Sequence, residues 1–169
     1  MTRHNQIRPC RAEVQIRPYR AEDLPALQEI TATCFEKVSI DRNIESAFGT
    51  VGGHDWRWRK ARHIEADVAG DHAQGVLVAE VGGKVVGYVT CRVDRESRIG
   101  WIPNLAVRPE QQGEGLGRRL MEAALEYLRD AGMECAKIET LEQNPVGPTF
   151  YPSLGFQEVA RQIHYVRRL

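Results

Sequence analysis

Leu105-Ala-Val-Arg-Pro-Glu-Gln-Gln-Gly-Glu-Gly-Leu-Gly-Arg-Arg-Leu120 passes from an apolar strand into an amphipathic helix through three alternating glycines. Without a Cβ, Gly113, Gly115 and Gly117 let the backbone take conformations closed to other residues and approach a ligand closely. The first amides of the following helix lack intrahelical partners and lie at the positive end of its dipole, which suits a phosphate or pyrophosphate. Arg118 and Arg119 oppose that dipole in the first turn, an arrangement that an anion would compensate.

The glycine spacing separates ligand classes. A dinucleotide fingerprint begun at Gly113 requires glycine at position 118, which is Arg118, and a nucleotide P-loop would end in Gly-Lys-Ser/Thr where this chain has Gly117-Arg118-Arg119. NAD, ATP and GTP therefore fit poorly. A second segment, Asn144-Pro-Val-Gly-Pro-Thr-Phe-Tyr-Pro-Ser-Leu-Gly-Phe156, lies a helix and a strand further on. Gln112-x-x-Gly115-x-Gly117 after Leu105-Ala106-Val107, followed in order by Asn144, Gly147, Phe150, Tyr151, Gly155 and Phe156, resembles the paired motifs of the GNAT superfamily of acyl-CoA-dependent N-acetyltransferases. The resemblance runs from about Ile16 onward.

That resemblance implies acetyl-CoA as acyl donor and an amine of a small molecule, protein N-terminus or lysine as acceptor. It implies that Gln112 and the amides of Gly113, Glu114, Gly115, Leu116, Gly117 and Arg118 hold the pyrophosphate, with Arg108 and Arg119 as further cations. It also implies that the backbone of Leu105, Ala106 and Val107 pairs with the pantetheine arm as an added strand would. A fixed N–H aimed at a developing oxyanion contributes about 3 to 4 kcal/mol, and Val107 is the candidate donor. Tyr151 is the implied acid for the departing thiolate, since a phenol is protonated at neutral pH. Asn144 either caps a turn or bonds the cofactor arm. Pro148 and Pro152 depart from the family pattern: each removes a donor from the short helix that carries Tyr151, which predicts broken turns there. Gly147, where alanine is usual, is expected to loosen the segment further.

Taking the proton from the amine falls to a carboxylate, with Glu139 the first candidate and Glu142, Asp94 and Glu96 behind it; Asn104 is placed to orient a water. The cluster Arg57, Arg59, Lys60 and Arg62 reads first as a solvated helix face anchored by Trp58 and second as a surface for an acidic acceptor, with Trp56 as an aromatic wall. A CoA-binding sensor without turnover is the alternative function.

Composition sets the outer limits. The chain has 169 residues, 42% hydrophobic and 27% charged, enough for one domain with a substantial core. Lys plus Arg equals Asp plus Glu at 23 each, so no basic field favours nucleic acid or an anionic membrane. Cys10, Cys34, Cys91 and Cys135 form no C-x-x-C pair, and the five histidines show no metal-ligand spacing, so no metal is expected. No apolar run has the length of a signal core or a membrane span, which points to a reducing cytoplasm. A homodimer is compatible with the sequence, which leaves oligomeric state open.

Gln6-Ile-Arg-Pro-Cys-Arg-Ala-Glu13 recurs as Gln15-Ile-Arg-Pro-Tyr-Arg-Ala-Glu22. Residues 1–14 are accordingly read as a duplicated flexible extension and 15–169 as a single domain. Periodicity predicts helices from Leu24, over 39–48, over 56–68 on a Trp58, Ala61, Ile64, Val68 stripe that omits Trp56, and after the glycines to near Gly132. Strands are expected at 14–18, 75–81, 84–93, 100–107, 136–141 and 156–166. The fold class is α/β (α+β), a mixed, mostly antiparallel central sheet with helices on both faces.

Overall fold

The computed structural model describes residues 13–169, so the first copy of the N-terminal repeat, apart from its last residue Glu13, lies outside the described residues. Five strands form one sheet in chain order: β1 (Val14–Pro18), β2 (Val76–Val81), β3 (Lys84–Arg92), β4 (Ile99–Val107) and β5 (Cys135–Ile138). The first four pair antiparallel; β5 joins β4 in parallel after the crossover helix α4 (Leu116–Asp130), as a parallel pair requires. Between β1 and β2 run α1 (Leu24–Cys34), α2 (Ile40–Phe48) and α3 (Trp56–Asp67).

The two faces of the sheet bury separate cores. Leu116, Leu120, Met121, Ala124 and Leu128 of α4 recur at helical spacing and pack on Val89, Cys91, Ile102 and Val107. On the opposite face Leu27 and Ile30 of α1 and Ile64 of α3 cover Val76, Val78, Tyr88 and Ala106. Tyr88 keeps its buried hydroxyl satisfied, 2.6 Å from Thr31 Oγ1, which ties α1 to β3.

Helix α3 turns a different face inward from the one its apolar residues suggest. Trp56 is 1% exposed, whereas Trp58 is 42% exposed and stacks on His54 at 3.6 Å. Asp55 caps the helix by accepting from the Trp58 amide and so sets its phase. The inward stripe is then Trp56, Lys60, Ile64 and Asp67, spaced four, four and three; two of its four members are charged, which hides it from a hydrophobic count.

Strand β4 carries a bulge. Thr90 pairs with Asn104 but Arg92 with Trp101, so β4 takes one residue more than β3 in this interval. Pro103 falls in the bulge, where its missing donor costs no ladder bond, and the Asn104 amide donates to Thr90 Oγ1 at 3.1 Å.

Residues 156–166 do not form the expected strand. From Phe156 to Leu169 the backbone belongs to no strand, and Val159 and Tyr165 are 93% and 88% exposed. Val159, Ile163 and Tyr165 would share one face of an added strand, but Arg161 falls on that face with them and no neighbouring strand pairs with the segment among the described residues. The segment is held through its ends instead: Arg161 pairs with Glu142 and Glu158, and the Arg168 guanidinium donates to the Phe48 carbonyl. The strand expected over 136–141 is likewise shorter, ending at Ile138.

Candidate active site

The centre of the sheet opens where β5 stops. Pairing of β4 with β5 runs from Ile99↔Cys135 to Ile102↔Ile138, and among the described residues nothing pairs with the β5 side of Leu105–Val107. On the β3 side the Arg108 amide donates to the Val86 carbonyl at 2.8 Å. Backbone groups alternate along an antiparallel pair, so Ala106 bonds to β3 through Tyr88 while the N–H groups of Leu105 and Val107 face the opening. Ala106 therefore has no free backbone edge for an incoming chain, contrary to its expected role; its side chain, 4% exposed, belongs to the core under α1. The Val107 carbonyl is already engaged, accepting from Gln112 Nε2 at 2.8 Å and from Cys34 Sγ at 3.3 Å. Gln112 thus braces the strand end against the loop.

The open edge leads into the glycine loop. Gly113 and Gly115 both have φ of +81°, the left-handed region that disfavours any residue with a Cβ, and nothing lies within 4 Å of where that Cβ would stand. This leaves a backbone concavity at the N-terminus of α4 with Gly115 as its cap residue. Leu116 contributes only its amide there, its side chain being 2% exposed in the core. A pyrophosphate fits the donor set, which combines helix-terminal amides with an open cradle.

The arginines stand elsewhere. Arg108 is bidentate on Glu29 at 3.0 and 2.9 Å, and Arg119 donates to the Val14 carbonyl at 3.0 Å. Arg118 reaches Ser153 Oγ at 3.0 Å, joining the first turn of α4 to the segment after Tyr151.

Tyr151 follows a single helical turn, α5 (Gly147–Phe150), and precedes a 3₁₀ turn at Pro152–Leu154; the two prolines break the segment as their chemistry dictates. Gly147 tightens the segment rather than loosening it: a Cβ there would lie 2.8 Å from Thr140 Cγ2 and 2.9 Å from its Oγ1. The Tyr151 ring meets Phe150 and Phe156 edge-on at 5.4 and 6.0 Å, and a Cβ at Gly117 of α4 would lie 3.6 Å from Phe150 Cζ. Burial pushes the Tyr151 phenol up from its ordinary value, so it is protonated at neutral pH. Asn144 takes the capping option: its Oδ1 accepts from the Val146 amide at 3.1 Å and its Nδ2 donates to Thr140 Oγ1 at 2.9 Å.

Of the four candidate bases, Glu139 is the residue immediately past β5, beside the opening, with Lys137 at 3.0 Å. Glu142 pairs with Arg161, and Asp94 accepts from the Ser97 hydroxyl and from the amides of Glu96 and Ser97. Gln143 spans the opening's outer side, donating to the Lys37 carbonyl at 2.6 Å and accepting from Asn43 at 2.9 Å.

A polar network under β4 was not foreseen. Asp67, 3% exposed, accepts from Arg92 Nε and Nη2 at 3.1 and 2.6 Å, from Thr90 Oγ1 at 3.2 Å and from Asn104 Nδ2 at 2.7 Å. Asn104 Oδ1 accepts from Lys60 Nζ at 2.9 Å. Protein groups thus hold both ends of the Asn104 side chain. Its sequence signal was present, since Thr90 and Asn104 are polar residues at inward positions of otherwise apolar strands.

The basic cluster on α3 is dispersed among partners. Arg57 pairs with Glu36, Arg59 with Asp41 and Glu45, and Arg62 lies over the Trp58 ring.

An unpaired β4 edge running into a backbone concavity at the start of α4 has the shape and the donors to suit an extended, phosphate-bearing arm. Residues 24–156 match the model of the Acetyltransferase (GNAT) family, and the chain belongs to that family. It is 38% identical over 84 residues to an N-acetyltransferase of Archaeoglobus fulgidus, covering 47% of this chain and 57% of that one. It is 33% identical over 92 residues to a mycothiol acetyltransferase of Streptomyces bingchenggensis, covering 54% and 30%. The chain thus spans between about a third and three fifths of the length of these relatives. The fold is shared with a Pyrococcus horikoshii protein (TM-score 0.69, 24% identity, covering 89% of this chain and 92% of that one). It is also shared with an aminoglycoside N-acetyltransferase solved with CoA (TM-score 0.68, 17% identity, 96% and 100%). Among the described residues no helix is long and apolar enough to cross a membrane.

Proposed function

We propose that this protein transfers an acetyl group from acetyl-CoA directly to a primary amine. The observation that carries the reading is the unpaired Leu105–Val107 edge ending at the two left-handed glycines. Acetyl-CoA supplies the activated acyl carbonyl and a thiolate leaving group. The amides of residues 113–118 hold its pyrophosphate, and the Val107 N–H bonds the pantetheine arm. Because the arm runs from the glycines back along β4, Leu105 N–H reaches further toward the reacting carbonyl than Val107, two residues away on the same edge, and takes the oxyanion role in its place. Tyr151 holds the proton for the leaving sulfur, and Glu139 receives the amine's proton through water. The free thiols Cys34, Cys91 and Cys135 suit a reducing cytoplasm.

Thermal unfolding with acetyl-CoA, CoA, NAD and ATP tests the cofactor reading. A ligand at a hundred times its dissociation constant stabilises by about 2.7 kcal/mol, a shift on the order of 5 °C or more for this size. We expect that shift with acetyl-CoA and CoA alone; its absence with both overturns the reading. Amine-dependent release of CoA from acetyl-CoA then distinguishes turnover from a sensor that only binds.

A further inference from the structure

Lys60 differs from the other cations of α3. It is half-buried on the inward stripe, with Nζ 2.9 Å from the neutral Asn104 Oδ1 and 4.3 Å from the Phe35 ring centroid. Among the described residues it enters no ion pair, whereas Arg57, Arg59 and Arg92 all do. The two carboxylates nearest in effect, Asp41 and Asp67, act on it from a distance, each in direct contact with an arginine instead: Arg59 beside Asp41 and Arg92 beside Asp67. Lys60 thus lacks a direct counter-ion, and its anchor Asn104 is the residue directly before Leu105, whose N–H faces the opening.

A half-buried ammonium without a direct counter-anion is costly, and a bound carboxylate would supply one. Desolvation also pulls the Lys60 ammonium below its ordinary value, a shift that an anionic ligand reverses.

We infer that Lys60 is the anion-binding residue of the acceptor subsite, and that the amine accepted is a small amino carboxylate rather than a simple amine or polyamine. The inference rests on the acetyl-transfer reading. Lys60 bonds the acceptor's carboxylate and orients the molecule; Asn104 and, behind it, Asp67 and Arg92 hold Lys60 in place. A purely cationic acceptor is repelled from the same position.

The test uses acceptor pairs that differ only in this charge, glycine against glycinamide and β-alanine against β-alaninamide, with CoA release measured per unprotonated amine. The carboxylates are expected to show at least tenfold higher kcat/KM. Lys60→Met should remove that preference through the acceptor KM, while the KM for acetyl-CoA stays within twofold. Lys60→Gln, which keeps a donor toward Asn104, should show the same loss if the charge is what matters. Equal use of amides, a preference that survives both substitutions, or no CoA release with any amino carboxylate each overturns the inference. The acetyl-CoA shift in melting temperature, measured on the same samples, separates the two readings: if it persists, only the acceptor assignment fails.

Discussion

Asp67 gathers four donor atoms from three residues around one buried carboxylate, and the arrangement fixes Asn104 and, through it, the acceptor side of β4. Removing one partner of a buried ion pair leaves the other uncompensated, at about 3–5 kcal/mol. Asp67→Ala is therefore expected to lower the unfolding free energy in urea by that order, and a change under 1 kcal/mol would show that water already shields the network. Tyr151 works by chemistry rather than support, since its ring contacts are kept by phenylalanine. Tyr151→Phe should reduce kcat at least tenfold with the KM for acetyl-CoA unchanged; turnover within twofold of the parent removes the acid role. At Glu139 the expected effect of Glu139→Gln is a fall in kcat/KM of at least tenfold with the KM for acetyl-CoA unchanged, and turnover within twofold of the parent assigns the proton to another group.

At the level of elements, the opening beside β4 makes two neighbouring substitutions behave oppositely. Leu105 N–H faces the opening and serves no ladder bond, whereas the Ala106 N–H pairs with β3. Leu105→Pro should keep a cooperative unfolding transition but lose turnover, and Ala106→Pro should cost markedly more stability. Comparable losses of stability from both would mean that the alternation along β4 is misassigned. These same elements show why some of the fold was legible in the sequence. The β4 strand, the glycines and the α4 face are written in local signals: an apolar run, residues that need positive φ, and spacings of three and four. The inward face of α3 was not, because Lys60 and Asp67 sit on it and are satisfied only by Asn104, Thr90 and Arg92, more than twenty residues away in the chain. The β4 bulge follows from pairing and not from composition, and it decides which side chains meet Lys60. The tail after Phe156 carries β-forming residues, yet a strand exists only where a neighbour accepts its hydrogen bonds. Arg118 read locally as a phosphate ligand, and only the folded chain brings Ser153 to it.

For the whole molecule, pH acts on two sets of groups with opposite sign. Arg17 holds Asp23 through bonds of 2.7 and 2.9 Å, tying β1 to the start of α1, and this hydrogen bonding keeps the Asp23 carboxyl below its ordinary range. A carboxyl depressed in the folded state binds fewer protons there than when unfolded, so its contribution is complete above about pH 4 and is lost as pH falls through the folded value. Cys91 is the reverse case: 3% exposed beneath α4, its thiol is pushed up to about 12 by burial. The unfolded thiol ionises from about pH 8.5, so between there and about pH 12 the native state binds more protons and stability falls as pH rises. One such group contributes a slope of about 1.4 kcal/mol per pH unit in that window. Tyr88 and Tyr151, both raised by burial, add to the alkaline loss equally in any Cys91 variant. Cys91→Ala should therefore be less stable than the parent at pH 7 because of the atoms it deletes, yet its stability should fall less steeply between pH 9 and 11, so that the two curves converge. Denaturant unfolding at four or five pH values measures this directly; parallel curves would mean that water reaches Cys91 in the native state and that the seal of α4 over the sheet is looser than its packing implies.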